Sequence, residues 1–276
     1  MSIGPVLKYP GSKWRMADWV VSHMPKHGSY LEPYFGSGAV FFTKKPSHIE
    51  TINDLDQNII KFFRILREQP EELARLIEFT PWSRVEYEDL LTSAAAENYF
   101  KTTDSELENA RRLMVRLSMG FRSKTSDRTG WRSNIQSSVG GAASTIWKSM
   151  PSRIRFAAKR LKDAQIECRP AMDLIKRFNY PEVLIYADPP YMFGTRFEKR
   201  QYKHEMSDVN HVELLEALNN HSGTVLLSGY ACDFYDDQLK HWTRKTTKSW
   251  AEGGRQREEV LWINPAAAKS IGTTLF

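Results

Sequence analysis

The junction between Val183-Leu184-Ile185-Tyr186-Ala187 and Asp188-Pro189-Pro190-Tyr191 restricts the fold of this chain more than any other stretch. The first five residues are apolar, β-branched or aromatic and read as a buried strand. Two adjacent prolines cannot continue a sheet ladder, so the chain must turn where that strand ends. The turn leaves a carboxylate, a stiff backbone carbonyl and an aromatic ring at the C-terminal end of a strand. Open α/β sheets bind ligands at that end. A carboxylate and a carbonyl can both accept hydrogen bonds from one NH2 group, and tyrosine can stack on a planar ring. Together they suit an exocyclic amine on a heteroaromatic base, such as N6 of adenine.

Upstream, Pro10-Gly11 is a turn signal, and residues from about Trp14 to Met24 have helical spacing. Ser29 to Phe35 reads as a strand running into Gly36-Ser37-Gly38, with a helix opening at Ala39. The two glycines permit positive φ and close approach of backbone to a ligand, beside a helix N-terminus with unpaired N–H groups. A plain structural turn would look the same. Ile49 to Asp54 reads as a second strand ending in an acid, where a Rossmann-like site grips ribose hydroxyls. Asp56 is a rival for that role, and Asp54 also reads as a helix N-cap ahead of Gln57.

Residues 57–117 are mostly helical in pattern, with amphipathic segments near 57–68, 71–79, 83–94 and 105–119, punctuated by Pro70 and Pro81. This block does not alternate with strands and reads as an insertion. From Arg111 to Arg132 there are seven cationic residues and one acid. Residues 120–146 lose helical spacing, and this loop or hairpin joins the cations to Trp131, Trp147, Asn134 and Gln136. Arginine can read a guanine edge, and Asn or Gln an adenine edge. A solvated basic face without a partner is the rival reading.

Ser149 to Lys162 reads as a basic helix returning to a strand near Ile166-Glu167-Cys168. Met192 to Met206 is a polar loop with Arg196, Lys199, Arg200, Lys203 and His204. It folds over the site, contacts phosphates, or is a plain exposed loop. His204 has no partner carboxylate in view and is not assigned as a base. A helix over Val209 to Leu218 and a buried strand over Thr224 to Ser228 follow. Trp242 to Ser249 and Glu259 to Ile263 read as a closing antiparallel pair.

The chain has 276 residues, 41% hydrophobic and 26% charged, with a net charge of +6. That is ordinary for a globular protein with a full core, and the charge is a weak pointer to a polyanion. No apolar run reaches the ~18–20 residues that span a bilayer. Met1 to Pro10 lacks the features of a signal peptide. Cys168 and Cys232 read as buried free thiols, consistent with a reducing cytosol. A cytoplasmic protein associated with the nucleoid through DNA is the expectation.

Four segments now stand in order: Lys8-Tyr9-Pro10-Gly11-Ser12-Lys13, Glu32-Pro33-Tyr34-Phe35-Gly36-Ser37-Gly38, Asn53-Asp54, and Asp188-Pro189-Pro190-Tyr191. With a basic helical block between the third and fourth, they resemble the ordered motifs of Dam-like adenine-N6 DNA methyltransferases. The match runs from Lys8 to about Asn264. The resemblance implies an α/β fold, a Rossmann-like S-adenosylmethionine-dependent methyltransferase sheet. Residues 1–56 and 163–276 would form it. Residues 57–162 would be a helical target-recognition insertion with the basic loop 120–146.

The implied activity is site-specific methyl transfer from S-adenosylmethionine to a flipped-out adenine in double-stranded DNA, with S-adenosylhomocysteine as product. Motif by motif, Tyr9 and Lys13 would lie at the methionine end of the cofactor. Glu32, Phe35, Gly36, Ser37 and Gly38 would pass beneath it, and Asp54 would hold the ribose. Because this cofactor has no phosphate, the glycines would serve close backbone packing. Asp188 would face both the cofactor and the target amine, the Pro189 carbonyl would accept from that amine, and Tyr191 would stack on the base. Arg116, Arg122, Lys124, Arg128, Arg132, Asn134, Arg196 and Lys199 are the expected DNA contacts. No metal and no membrane is required, and monomer and homodimer both stay open.

One departure stands out. Where the family often carries an acidic or Asp-Phe segment near the cofactor adenine, this chain has Cys168-Arg169-Pro170-Ala171-Met172-Asp173. Backbone groups around Cys168 to Pro170 are the expected substitute. Two other readings remain. One is methylation of a different amine: cytosine N4, an RNA base or a protein glutamine. Relatives acting on glutamine or ribosomal RNA usually begin the tetrapeptide with Asn. The other is a DNA-binding regulator of the same fold without catalysis, against which the intact tetrapeptide and Lys13 argue.

Overall fold

The computed structural model describes residues 4–92, 103–121, 130–133, 143–192, 204–250 and 256–273. The first half runs through α1 (Ala17–Ser22), β1 (Ser29–Glu32), α2 (Ala39–Thr43), β2 (Ile49–Asn53), α3 (Gln57–Glu68), α4 (Pro70–Glu78), α5 (Arg84–Thr92) and α6 (Glu106–Met119). It continues with α7 (Ala143–Lys148), α8 (Met150–Leu161), β3 (Gln165–Glu167), α9 (Ala171–Arg177) and β4 (Val183–Ala187). The chain closes with α10 (Asp208–Asn219), β5 (Thr224–Tyr230), α11 (Asp233–Gln238), β6 (Thr243–Trp250), β7 (Gln256–Ile263) and α12 (Pro265–Thr273).

The strands form one sheet in the order β3-β2-β1-β4-β5-β7-β6. β1, β2, β3, β4 and β5 are parallel, and β7 joins β5 and β6 antiparallel. This is the Rossmann-like methyltransferase sheet that the motifs imply. Connections leave β1 toward one edge and β4 toward the other. The crevice between β1 and β4 is therefore the switch point at which such sheets bind ligands.

Both faces of the sheet are covered, so its central strands are buried along nearly their whole length rather than on alternate residues. Along β4, Leu184 and Tyr186 enter one core, while Val183, Ile185 and Ala187 enter the other. The first core takes in Phe62 and Phe63 of α3, Leu73 of α4, Leu113 of α6 and Ile154 of α8. The second holds Leu174 of α9, Leu214 of α10 and Tyr235 of α11. The helices of 57–162 thus share one continuous core with a face of the sheet.

The helical spacing between 57 and 119 locates α3 to α6 to within a residue or two. β1 stops at Glu32, earlier than the apolar pattern suggests, because Pro33 has no N–H to extend the ladder. β6 lies one residue on from the Trp242–Ser249 reading, while β7 starts at Gln256, three residues before the stretch read as a strand, since an antiparallel pair can continue past the core with polar residues. Neither cysteine is in a disulfide, but Cys168 is exposed and Cys232 only half-buried, which corrects the reading of both as buried. β3 is a short edge strand and offers Cys168 no cover. Among the described residues, no helix is long and apolar enough to cross a membrane.

Candidate active site

Five segments at the C-terminal edge of the sheet meet around one cavity. They are the Tyr9–Lys13 segment and the turns after β1, β2, β3 and β4. Tyr9, Lys13, Glu32, Phe35, Gly36, Ser37, Asp54 and Asp188 all stand on its wall. Leu55, Pro170, Ala171 and Met172 line it as well, with His204, Met206 and Asn210.

The turn after β1 explains its glycines. Gly36 and Gly38 have φ of 51° and 68°, the left-handed region that side chains avoid. A Cβ at Gly36 would lie 3.2 Å from the Tyr9 ring, so glycine lets Tyr9 close over the turn. A Cβ at Gly38 would lie 2.4 Å from the Phe35 ring. Its missing side chain makes room for a core aromatic. The Ser37 hydroxyl meets that of Ser12 at 2.6 Å and accepts the Trp14 indole N–H at 3.1 Å. These bonds tie the N-terminal segment to the turn.

Asn53, fully buried, ties the strand tips to one another. Its amide nitrogen donates to the carbonyls of Pro33 at 2.9 Å and Arg169 at 3.0 Å. Its oxygen accepts the Arg169 N–H at 2.9 Å. One side chain therefore fixes the turns after β1, β2 and β3. Asp54 follows, accepting the N–H groups of Gly36 and Asp56, each at 2.8 Å. Burial pushes its carboxyl up to about 6, against the pull of these donors. A carboxylate has about four acceptor sites, so capacity for hydroxyl groups remains. The helix-cap role goes to Asp56, which accepts the Asn58 N–H at 3.0 Å.

Glu32 lies on the cavity wall yet is 2% exposed, and it accepts the Tyr30 hydroxyl at 2.7 Å. Burial raises its carboxyl to about 8; the Tyr30 hydrogen bond opposes that and the charge of Asp188 adds to it. At neutral pH Glu32 holds a proton.

Asp188 stands just past β4. Its Oδ2 is 3.0 Å from Lys13 Nζ, and its Oδ1 accepts the Ser228 hydroxyl at 2.9 Å. Ser228 also meets the Tyr186 hydroxyl at 3.0 Å. Lys13 donates to the Gly11 carbonyl at 2.9 Å, and its ammonium sits 4.7 Å from the Tyr191 ring centroid. Tyr191 is 6% exposed. Its hydroxyl donates to Glu259 at 3.0 Å, and its ring packs edge-on against Tyr230 at 4.5 Å. Ser228 and Glu259 escaped the sequence reading. Ser228 has one signal, a polar residue within an apolar run; Glu259, which follows Gln256-Arg257-Glu258, has none.

The expected DNA contacts divide. Arg122, Lys124, Arg128, Asn134, Arg196 and Lys199 lie outside the described residues. Arg116 is 4% exposed, on the inner face of α6. Arg132 is half-buried beside a short antiparallel stem. Gly120 bridges Trp131 there, Phe121 N–H donates to the Gly130 carbonyl at 2.9 Å, and Arg132 N–H donates to Met119 at 2.7 Å. Burial and then the charges of Arg132 and Arg153 lower the Lys8 ammonium to about 8. Trp147, read as part of the basic surface, is instead core. It is 5% exposed and gives its indole N–H to the Thr80 carbonyl at 2.7 Å. Among the described residues no three His, Cys, Asp or Glu side chains gather into a metal-holding group.

Residues 9–257 match the family described as D12 class N6 adenine-specific DNA methyltransferase. Type II methyltransferase M1.LlaDCHI of Lactococcus lactis subsp. cremoris is 31% identical over 124 residues, covering 44% of this chain and 43% of that protein. Type II methyltransferase M.MjaIII of Methanocaldococcus jannaschii is 22% identical over 259 residues, covering 85% and 87%. The chain thus spans under half of the first relative's length and most of the second's. Among solved structures, the rRNA methyltransferase aviRa from Streptomyces viridochromogenes aligns with a TM-score of 0.42 and 13% identity, covering 95% of this chain and 89% of that one.

Proposed function

Since the chain belongs to the D12 class N6 adenine-specific DNA methyltransferase family, we propose that it methylates N6 of a specific adenine in double-stranded DNA, using S-adenosylmethionine. The observation that carries this reading is the single cavity that joins Tyr9, Lys13, Asp54 and Asp188 at the switch point of the sheet.

The wall of that cavity fits the cofactor. Asp54 retains acceptor capacity for ribose hydroxyls. Leu55, Pro170 and Met172 offer apolar surface for the adenine, in place of the family's acidic segment. Tyr9, closed over Gly36, and the Gly11–Lys13 turn bound the methionine end. Bound there, S-adenosylmethionine supplies an electrophilic methyl group on a positively charged sulfur.

The remaining work belongs to the chain. The N6 lone pair of adenine is delocalised into the ring and is a poor nucleophile. Asp188 and the Pro189 carbonyl accept the two N6 hydrogens, which favours a pyramidal nitrogen with its lone pair turned out of the ring plane. Positioning and local electrostatics then lower the barrier. The surplus proton leaves N6 for Asp188 or water.

The base must leave the duplex to reach Asp188, at a cost of a few kcal/mol. Stacking on Tyr191 offsets ~1–3 kcal/mol of that. Residues 57–162 would serve as the recognition module, with Arg122, Lys124, Arg128 and Arg132 as phosphate or base contacts. The names of the two relatives support a type II modification role.

Incubating the protein with tritiated S-adenosylmethionine and duplex DNA, then digesting to nucleosides, tests the reading. Label in N6-methyl-2′-deoxyadenosine is expected. Label confined to N4-methylcytosine, or none in DNA, overturns it.

A further inference from the structure

Glu259 belongs to none of the four motifs and does not line the ligand cavity, yet it holds a group of the catalytic turn. It sits on β7, opposite Tyr230 of β5 and Thr247 of β6. Its neighbour Glu258 is exposed and reaches Arg244 at 3.5 Å. The strand's period of two turns Glu259 the other way, and it is only 5% exposed among Val260, Leu261 and Trp262. A carboxylate at that depth is unfavourable unless hydrogen-bonded. Glu259 accepts the Tyr191 hydroxyl at 3.0 Å.

Tyr191 is held on other sides too. The ring of Tyr230, the ladder partner of Glu259, meets it edge-on at 4.5 Å and 63°. A Cβ at Gly229 would come within 4.0 Å of its ring, so the ring lies against the β5 backbone. The Lys13 ammonium, bridged to Asp188, stands over it. The contacts to Gly229 and Tyr230 are apolar or edge contacts that permit sliding. A hydrogen bond to a carboxylate is directional and about twice as strong as a neutral one.

We propose that Glu259 is a positioning residue for the methyl-transfer site: it fixes the Tyr191 ring, and through it the Asp188–Tyr191 turn, against which the extruded adenine is received. This rests on the adenine-methylation reading above. Its consequence is a split between the two substrates. Glu259 acts through Tyr191, which does not line the cofactor cavity, so methyl transfer to DNA depends on it more than cofactor affinity does.

The test uses the full chain and a duplex carrying the site that the wild type methylates. Glu259→Leu, Glu259→Gln, Tyr191→Phe and the Glu259→Leu/Tyr191→Phe double variant are compared. The readouts are kcat/KM for DNA, S-adenosylmethionine affinity by calorimetry, and fluorescence of 2-aminopurine at the target base. Glu259→Leu and Tyr191→Phe should each lower kcat/KM for DNA about tenfold or more, the cost of removing one charge-assisted bond. The double variant should be no worse than the poorer single, because both remove the same bond. Glu259→Gln keeps an acceptor oxygen and should stay within about threefold of wild type. Cofactor affinity should change several-fold less than kcat/KM for DNA, and the 2-aminopurine signal should fall with kcat/KM.

Multiplying effects in the double variant, or a Glu259→Leu enzyme with normal kcat/KM, overturns the proposal. If Glu259→Leu does not fold, an unchanged kcat/KM in Tyr191→Phe overturns it equally. A wild type that leaves DNA adenine unmodified instead defeats the underlying reading.

Discussion

Lys13 Nζ lies 3.0 Å from Oδ2 of Asp188, with the two side chains 5% and 17% exposed. Residues 175 positions apart are thereby joined across the mouth of the cavity, and the second oxygen of Asp188 is occupied by Ser228. The aspartate is thus aimed from two sides before any substrate arrives. Preorganised groups of this kind supply catalysis without reorganising during the reaction.

Asp188→Ala should therefore lower methyl transfer by at least about a hundredfold, the scale of losing one preorganised polar group. DNA affinity should stay within a few-fold, because phosphate contacts dominate it. Single-turnover methylation with a parallel gel-shift titration checks this. Turnover near the wild-type rate would remove Asp188 from the chemistry.

The buried Glu32 makes stability depend on pH in an identifiable way. Burial first, then the charge of Asp188, raise its carboxyl to about 8, while unfolded glutamate titrates near 4.5. Between those values the folded state holds a proton that the unfolded state lacks. Stability from this group is therefore lost as pH rises through that window. Glu32→Gln should remove the loss, so the wild type should fall by roughly 2 kcal/mol more than the variant between pH 6 and 8.5. Urea denaturation at both pH values measures this. A cationic cofactor favours the ionised form, so its binding near pH 7 should release protons in wild type and fewer in Glu32→Gln.

Asn53→Ala removes three hydrogen bonds to backbone groups, the one to the Pro33 carbonyl wholly buried and the two to Arg169 partly so. Stability should drop by about 2–4 kcal/mol, with weaker cofactor binding, because the three turns that bound the cavity are no longer tied together. Thermal melts with and without S-adenosylmethionine test it. An unaltered melting temperature would show that the turns hold without that amide.

The stem between Met119–Phe121 and Gly130–Arg132 brackets a segment containing Arg122, Lys124 and Arg128. Neutralising these three with Arg132 should weaken DNA binding on all sequences. For every phosphate that is no longer neutralised, the slope of log K against log salt should flatten by about 0.9. Fluorescence anisotropy across a salt series reads this. An unchanged slope would take recognition away from the stem.

Much of the site can be read from the chain because its parts are local. The apolar run Val183–Ala187, the double proline after it, the glycine pair and the acid at the end of β2 each declare their turn within a few residues. Helices α3 to α6 are equally legible, since apolar spacing reports which face is buried. Partners far along the chain are not. Nothing near Ser228 or Glu259 indicates that β5 and β7 lie beside the turn after β4. Arg116 and Trp147 looked like surface groups by composition, but period alone does not reveal how many layers cover a helix.

Backbone chemistry and apolar period, both properties of neighbouring residues, determined the strand-and-turn units, the run of helices between the second and third strands, and the carboxylates that would meet a ligand. Sheet order determined what those carboxylates touch. Placing β1 beside β4, and β5 between β4 and β7, brought Lys13 and Ser228 to Asp188, Asn53 to three turns, and Glu259 to Tyr191. The bonded partners stand 20 or more positions apart in the chain, and sequence-local preferences carry no information over such separations.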